Sequence, residues 1–157
     1  MHSDRGFSDD GCYGKIAYFC STIMSALICK SKENMLASGI LIENKCYASS
    51  VHCSYYSSFQ LMLHLLLSEY SFTQETIRKQ GTKGTHIFAS EKIRREIDNK
   101  NKRSKSLEFH REIGMLKNKR VQADYRETEI NAEFSNDAMH QAIKINNILV
   151  EVFKIEL

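Results

Sequence analysis

Arg120, Asp124 and Tyr125 put a guanidinium, a carboxylate and a phenol into one basic stretch, Leu116-Lys117-Asn118-Lys119-Arg120-Val121-Gln122-Ala123-Asp124-Tyr125-Arg126. A guanidinium grips phosphate or carboxylate through paired N–H donors, and a carboxylate one turn away can orient or neutralise it. On a helix, Arg120 and Asp124 share a face, while Val121 and Tyr125 share the adjacent one. Lys117 and Lys119 add positive charge to the same stretch. The plainer reading is a surface ion pair beside a core stripe.

A second group of chemical interest is Tyr55-Tyr56-Ser57-Ser58-Phe59, whose rings are suited to stacking on a base or to packing in a core or dimer interface. His52, His64, His86 and His140 fall inside expected helices or at a helix start. No two histidines stand four apart or in an HExxH pattern, so no metal site is expected, and they read as structural or surface residues. Serine and cysteine nucleophiles have no base and orienting carboxylate nearby in sequence. The cysteines Cys12, Cys20, Cys29, Cys46 and Cys53 form no CxxC pair and read as buried thiols in a reducing compartment. No cofactor is expected.

These groups need a scaffold, and composition says what kind. The chain has 157 residues, 42% hydrophobic and 26% charged, with no Pro and seven Gly, which favours one domain of long helices. The net charge of +3 is unevenly spread: residues 92 to 126 carry twelve Lys or Arg against five acids. Such a strip suits a phosphate-rich partner or a solvated helix face. No window approaches the ~18 apolar residues that span a bilayer, and the opening Met1-His2-Ser3-Asp4-Arg5 lacks a signal-peptide pattern, so a cytoplasmic protein without membrane contact is expected.

After a frayed segment, residues 1 to 8, apolar spacing predicts a first helix from Asp9 or Asp10 to about Lys30–Lys32, closed by a polar break at Ser31-Lys32-Glu33-Asn34. A second runs from Met35 to Tyr70, with Gly39 and Glu43-Asn44-Lys45 as places to bend or break. Ser71 to Thr85 is the main interruption. Thr73 starts a helical turn there, and Gly81-Thr82-Lys83-Gly84 is a connection, not a P-loop. Thr85 caps a third helix ending near Asn99, and 98 to 104 form a polar linker. Ser106 to about Thr128 is the fourth helix. The fifth follows Asn131, with Phe134, Ala138, Ala142, Ile145, Leu149 and Val152 as its buried stripe. Without period-two alternation, the expectation is an all-α, antiparallel up-and-down bundle of four to five helices.

With the helices in place, Tyr55-Tyr56-Ser57-Ser58-Phe59, Thr85-His86-Ile87-Phe88 and Lys119-Arg120-Val121-Gln122-Ala123-Asp124-Tyr125 occur in an order that resembles the HEPN domain (higher eukaryotes and prokaryotes nucleotide-binding), over residues 35 to 155. The resemblance implies a helical bundle, often a homodimer, and a genomic partnership with a minimal nucleotidyltransferase in toxin–antitoxin pairs. It also implies contact with RNA or nucleotide. Many members are metal-independent ribonucleases with an R-x4 to x6-H motif, whose Arg and His meet at a dimer cleft, where imidazole moves a proton and guanidinium stabilises the phosphorane. Arg120 matches that Arg, but Tyr125, Arg126 and Glu127 stand where the His is needed. A literal R-x6-H runs from Arg103 to His110, in a linker-proximal place and with Ser104 after the Arg. The candidates are therefore Arg120, Asp124, Arg103 and His110 for catalysis, and Arg120, Asp124, Tyr125, Tyr55, Tyr56, Lys117 and Lys119 for binding. An interaction bundle without a ligand is the remaining alternative.

Overall fold

A computed structural model describes residues 25–81 and 84–156 of the chain. Among them are six helices and no strand: α1 (Ala26–Glu43), α2 (Tyr47–Ser68), α3 (Gln74–Gln80), α4 (Thr85–Asn99), α5 (Arg103–Tyr125) and α6 (Ala132–Phe153). The all-α expectation holds, but the count of four to five was too low. The helix expected from Asp9 lies mostly outside the described residues.

The polar run Ser31–Asn34 is not a break but the middle of α1. Its polarity is spent on α2. The Ser31 hydroxyl donates to the Ser57 carbonyl at 2.8 Å, and Asn34 Nδ2 donates to Gln60 Oε1 at 3.0 Å. Further along, the Ser38 hydroxyl lies 2.6 Å from that of Ser54 and 2.9 Å from that of Ser50. These serines are buried, so each hydroxyl must find a partner within the protein. Small hydroxyl side chains let the two helices approach closely and satisfy that demand together. Ser25 meets His64 at one end of the seam and Ser38 meets Ser50 at the other, so α1 and α2 run antiparallel.

The chain reverses between them at Asn44–Lys45–Cys46, one of the two places where the expected second helix could bend. Lys45 takes a left-handed φ of 61°, and the Asn44, Lys45 and Cys46 amides close on Ile40, Ile42 and Leu41 carbonyls. Thr73 caps α3, its hydroxyl accepting from the Thr76 amide at 3.0 Å, and Asn131 caps α6 through the Phe134 amide at 2.9 Å. The turn before α5 is shorter than the expected linker. Asn101 adopts φ 58°, α5 begins at Arg103, and Asp98 ties the corner by accepting from both Arg94 and Arg103. At its other end α5 stops at Tyr125 rather than Thr128.

Helix α2 is the centre of the packing. Val51, Tyr55, Met62, Leu65 and Leu66 are buried against Ala138, Ala142, Ile145 and Leu149 of α6, Phe109 and Leu116 of α5, and Ala89, Ile93 and Ile97 of α4. Alanines at 138 and 142 bring α6 close enough for the Ser58 hydroxyl to reach the Ala142 carbonyl at 3.4 Å. The thiols are not uniformly buried: Cys46 is exposed and free, Cys53 is half-buried and free, and Cys29 is disulfide-bonded. Among the described residues no helix is long and apolar enough to cross a membrane.

Candidate functional site

His52, Tyr55, Tyr56 and Phe59 follow one another at spacings of three, one and three on α2, which puts them on one side of the helix. Lys117, Arg120 and Asp124 do the same on α5. The packing of α5 and α4 on α2 brings both rows together with His86 from the first turn of α4.

Arg120 is the hub. Its side chain is only 15% exposed, and its guanidinium carbon sits 5.9 Å from the centre of the Tyr55 ring, 5.7 Å from that of Tyr56 and 5.1 Å from that of Tyr125. A cation over aromatic faces is held by their quadrupoles. Nη2 donates to the Tyr125 hydroxyl at 3.2 Å. Nε lies 2.6 Å from Asp124 Oδ2, yet it has no hydrogen-bond partner, so the contact is an ion pair with its N–H misaligned. Burial opposes the charge on Arg120, but Asp124, with the phenols Tyr56 and Tyr125, more than offsets this and holds its pKa above the ordinary guanidinium value.

Asp124 also holds an imidazole. His52 Nδ1 approaches its two oxygens at 3.0 and 3.3 Å, and the imidazole stacks on Tyr56 with centroids 4.5 Å apart. A carboxylate that accepts from Nδ1–H leaves the Nε2 lone pair free, the form needed to take a proton. His52 is 45% exposed. Beside it, Ala48, Ser49, Cys53, Ala123 and Asp124 help to line an open cavity of about 250 Å³. Burial pushes the Cys53 thiol pKa up, which keeps it a poor nucleophile.

His86 occupies the opposite side of the ring cluster. Its Nδ1 is 3.0 Å from the Tyr55 hydroxyl, and its ring packs on Phe59 with centroids 4.0 Å apart. Burial, then the fields of Arg120 and Lys117, push the His86 pKa below the ordinary imidazole value. Burial raises the pKa of Tyr55 far above the usual phenol range, so it remains a protonated phenol.

Compared with protein families, with characterised proteins and with solved structures, the chain matches none. Its site must be judged on geometry. Of the residues singled out in the sequence, Arg120, Asp124, Tyr125, Tyr55 and Tyr56 converge, and Lys117 reaches the cluster through its field on His86. Lys119 faces α6 instead, 3.4 Å from Asp137 and over the Phe134 ring. Arg103 pairs with Asp98, and His110 is exposed two turns further along the same helix, ~10 Å away along its axis, with no shared contact in view. His52 and His86 read in the sequence as structural or surface histidines, with His86 also in one of the motifs that resemble the HEPN domain, and neither was singled out as a site residue. The available signal was position: His52 lies one turn before Tyr56 on the aromatic face of α2.

Proposed function

We propose that the chain is a HEPN-like helical binding module that holds a phosphate of RNA or of a nucleotide at Arg120. The observation that carries this reading is the guanidinium set among three phenol rings beside Lys117, with the Tyr125 ring 69% exposed as a platform for a base. Asp124 neutralises one cation, and the basic strip of α4 and α5 supplies the surrounding positive field. The HEPN resemblance adds an up-and-down bundle in a single domain, a homodimer, a cytoplasmic setting and a nucleotidyltransferase partner from a toxin–antitoxin pair. Fluorescence anisotropy with single-stranded RNA tests the site. Arg120→Ala is expected to weaken binding about tenfold, the scale of one charge-assisted contact, and unchanged affinity would remove the proposal.

A second reading, metal-independent ribonuclease, is favoured by one feature: the Asp124-held imidazole of His52 shares a carboxylate oxygen with Arg120. In this reading His52 Nε2 takes the proton of a ribose 2′-OH and Arg120 stabilises the phosphorane, within one subunit. RNA incubated with protein in excess chelator decides it. Cleavage that is lost in His52→Gln and kept in His110→Ala supports this reading, and intact RNA excludes it.

A further inference from the structure

His86 lies in the Arg120 cluster but is used by neither reading. We propose that an anion bound at Arg120 is bound together with a proton on His86, so that the site tightens as pH falls and releases its ligand as pH rises. The inference rests on the anion-binding reading above.

The argument begins with what surrounds the imidazole. Helix α5 turns Lys117, Arg120, Asp124 and Tyr125 toward the cluster, and α2 contributes His52, Tyr55 and Tyr56. Helix α3, which packs on α4, carries Glu75, Arg78 and Lys79, all exposed, with Glu75 paired to Lys79 at 2.7 Å. Asp124 balances Arg120, among the described residues no acid pairs with Lys117, and the imidazole is half-buried against Phe59. Two nearby cations and desolvation all oppose a third positive charge. The neutral form of His86 is therefore favoured, and the Tyr55 phenol, which does not ionise, can donate to Nδ1 in the tautomer protonated at Nε2.

A phosphodiester arriving at Arg120 and Lys117 cancels that field. The penalty on a charged His86 falls, and the imidazolium adds its own attraction for the anion. The same hydrogen bond survives in reverse: Nδ1–H donates to the Tyr55 oxygen, and the phenol hydrogen rotates away. The buried Tyr55 O–H gives up its acceptor in that state, a cost that the arriving anion must offset. Linkage then requires that if the anion raises the proton affinity of His86, the proton raises the affinity for the anion by the same factor.

The test uses the full chain and a fluorescent oligothymidylate, whose diesters and bases do not titrate near neutrality and which offers no 2′-OH to cleave. Dissociation constants are measured by anisotropy between pH 5.5 and 8 at fixed ionic strength, with circular dichroism confirming the fold at each pH. One linked proton gives a slope of at most ~10-fold in affinity per pH unit, and the wild type is expected to gain several-fold from pH 7.5 to 6. His86→Gln is expected to flatten the slope, and His140→Gln, at an exposed imidazole on α6, to retain it. A second measurement needs no variant: the His86 imidazole followed by NMR should titrate at higher pH when the site is saturated. A flat wild-type profile, a slope that survives in His86→Gln, or a His86 titration unmoved by the oligonucleotide overturns the inference while leaving anion binding intact. Absence of binding at every pH overturns both.

Discussion

Asp124→Asn separates a binding site from a structural ion pair, because the two roles demand opposite signs. Asp124 is 17% exposed and faces Arg120 Nε at 2.6 Å and His52 Nδ1 at 3.0 Å. Asparagine keeps the shape and an acceptor oxygen but removes the charge. Replacing a charge-assisted contact with a neutral one costs ~1–2 kcal/mol. That is less than the ~3–5 kcal/mol of a broken, wholly buried pair, because Arg120 keeps Tyr125 and an amide oxygen. At roughly 2–4 °C per kcal/mol for a chain of this size, the melting temperature should fall by about 3–6 °C. Anion affinity should rise. A negative charge ~5 Å from a bound phosphate repels it by ~3 kcal/mol at an effective dielectric of ~20, and salt and exposure reduce this to about 1 kcal/mol. The gain is then about fivefold. Thermal melts and anisotropy on one preparation read both quantities. If Asp124→Asn loses affinity along with stability, Asp124 is needed to aim Arg120, and the electrostatic argument is wrong.

Other outcomes follow from the same structure. His86 titrates lower in the folded chain than in the unfolded one, so the unfolded state binds more protons as pH drops below about 6.5. Stability is full above that pH and declines below it, and urea midpoints at pH 7.5 and 5.5 should show a smaller loss in His86→Gln than in wild type. Gly114 is inside α5, and a methyl group there meets open space, so Gly114→Ala should stabilise by about 0.5–1 kcal/mol and leave anion binding unchanged. Ser38 is fully buried between Ser50 and Ser54, and Ser38→Leu should force α1 from α2 at a cost of about 3 kcal/mol or more, read as a lower urea midpoint.

Much of the scaffold was legible because it follows from local chemistry. The stripe Ala138, Ala142, Ile145, Leu149 and Val152 is buried on α6 as its spacing requires, and Thr73 and Asn131 cap the helices they precede. The misread was Ser31–Asn34, because a polar run looks the same whether water or a neighbouring helix receives its hydrogen bonds. The candidate site was half legible for a related reason. Arg120, Asp124 and Tyr125 are neighbours along one helix, whereas His52 and Asp124 are 72 residues apart and meet only through the packing of α2 and α5. Lys117 and Lys119 look alike in sequence, yet two positions of helical rotation separate the aromatic cluster from Asp137 on α6. Arg103 and His110 match the motif's spacing, but on one continuous helix that spacing holds them ~10 Å apart along the axis.

The central claim is that Arg120, rather than the basic surface at large, receives the anion. Arginine side-chain NMR tests it directly by following each Nε–H resonance as oligothymidylate is added at constant salt. The account predicts that the Arg120 resonance shifts in a saturable manner and that Arg103, held by Asp98 at the far end of α5, does not. Equal, non-saturating shifts at both would show a diffuse electrostatic film and contradict the account.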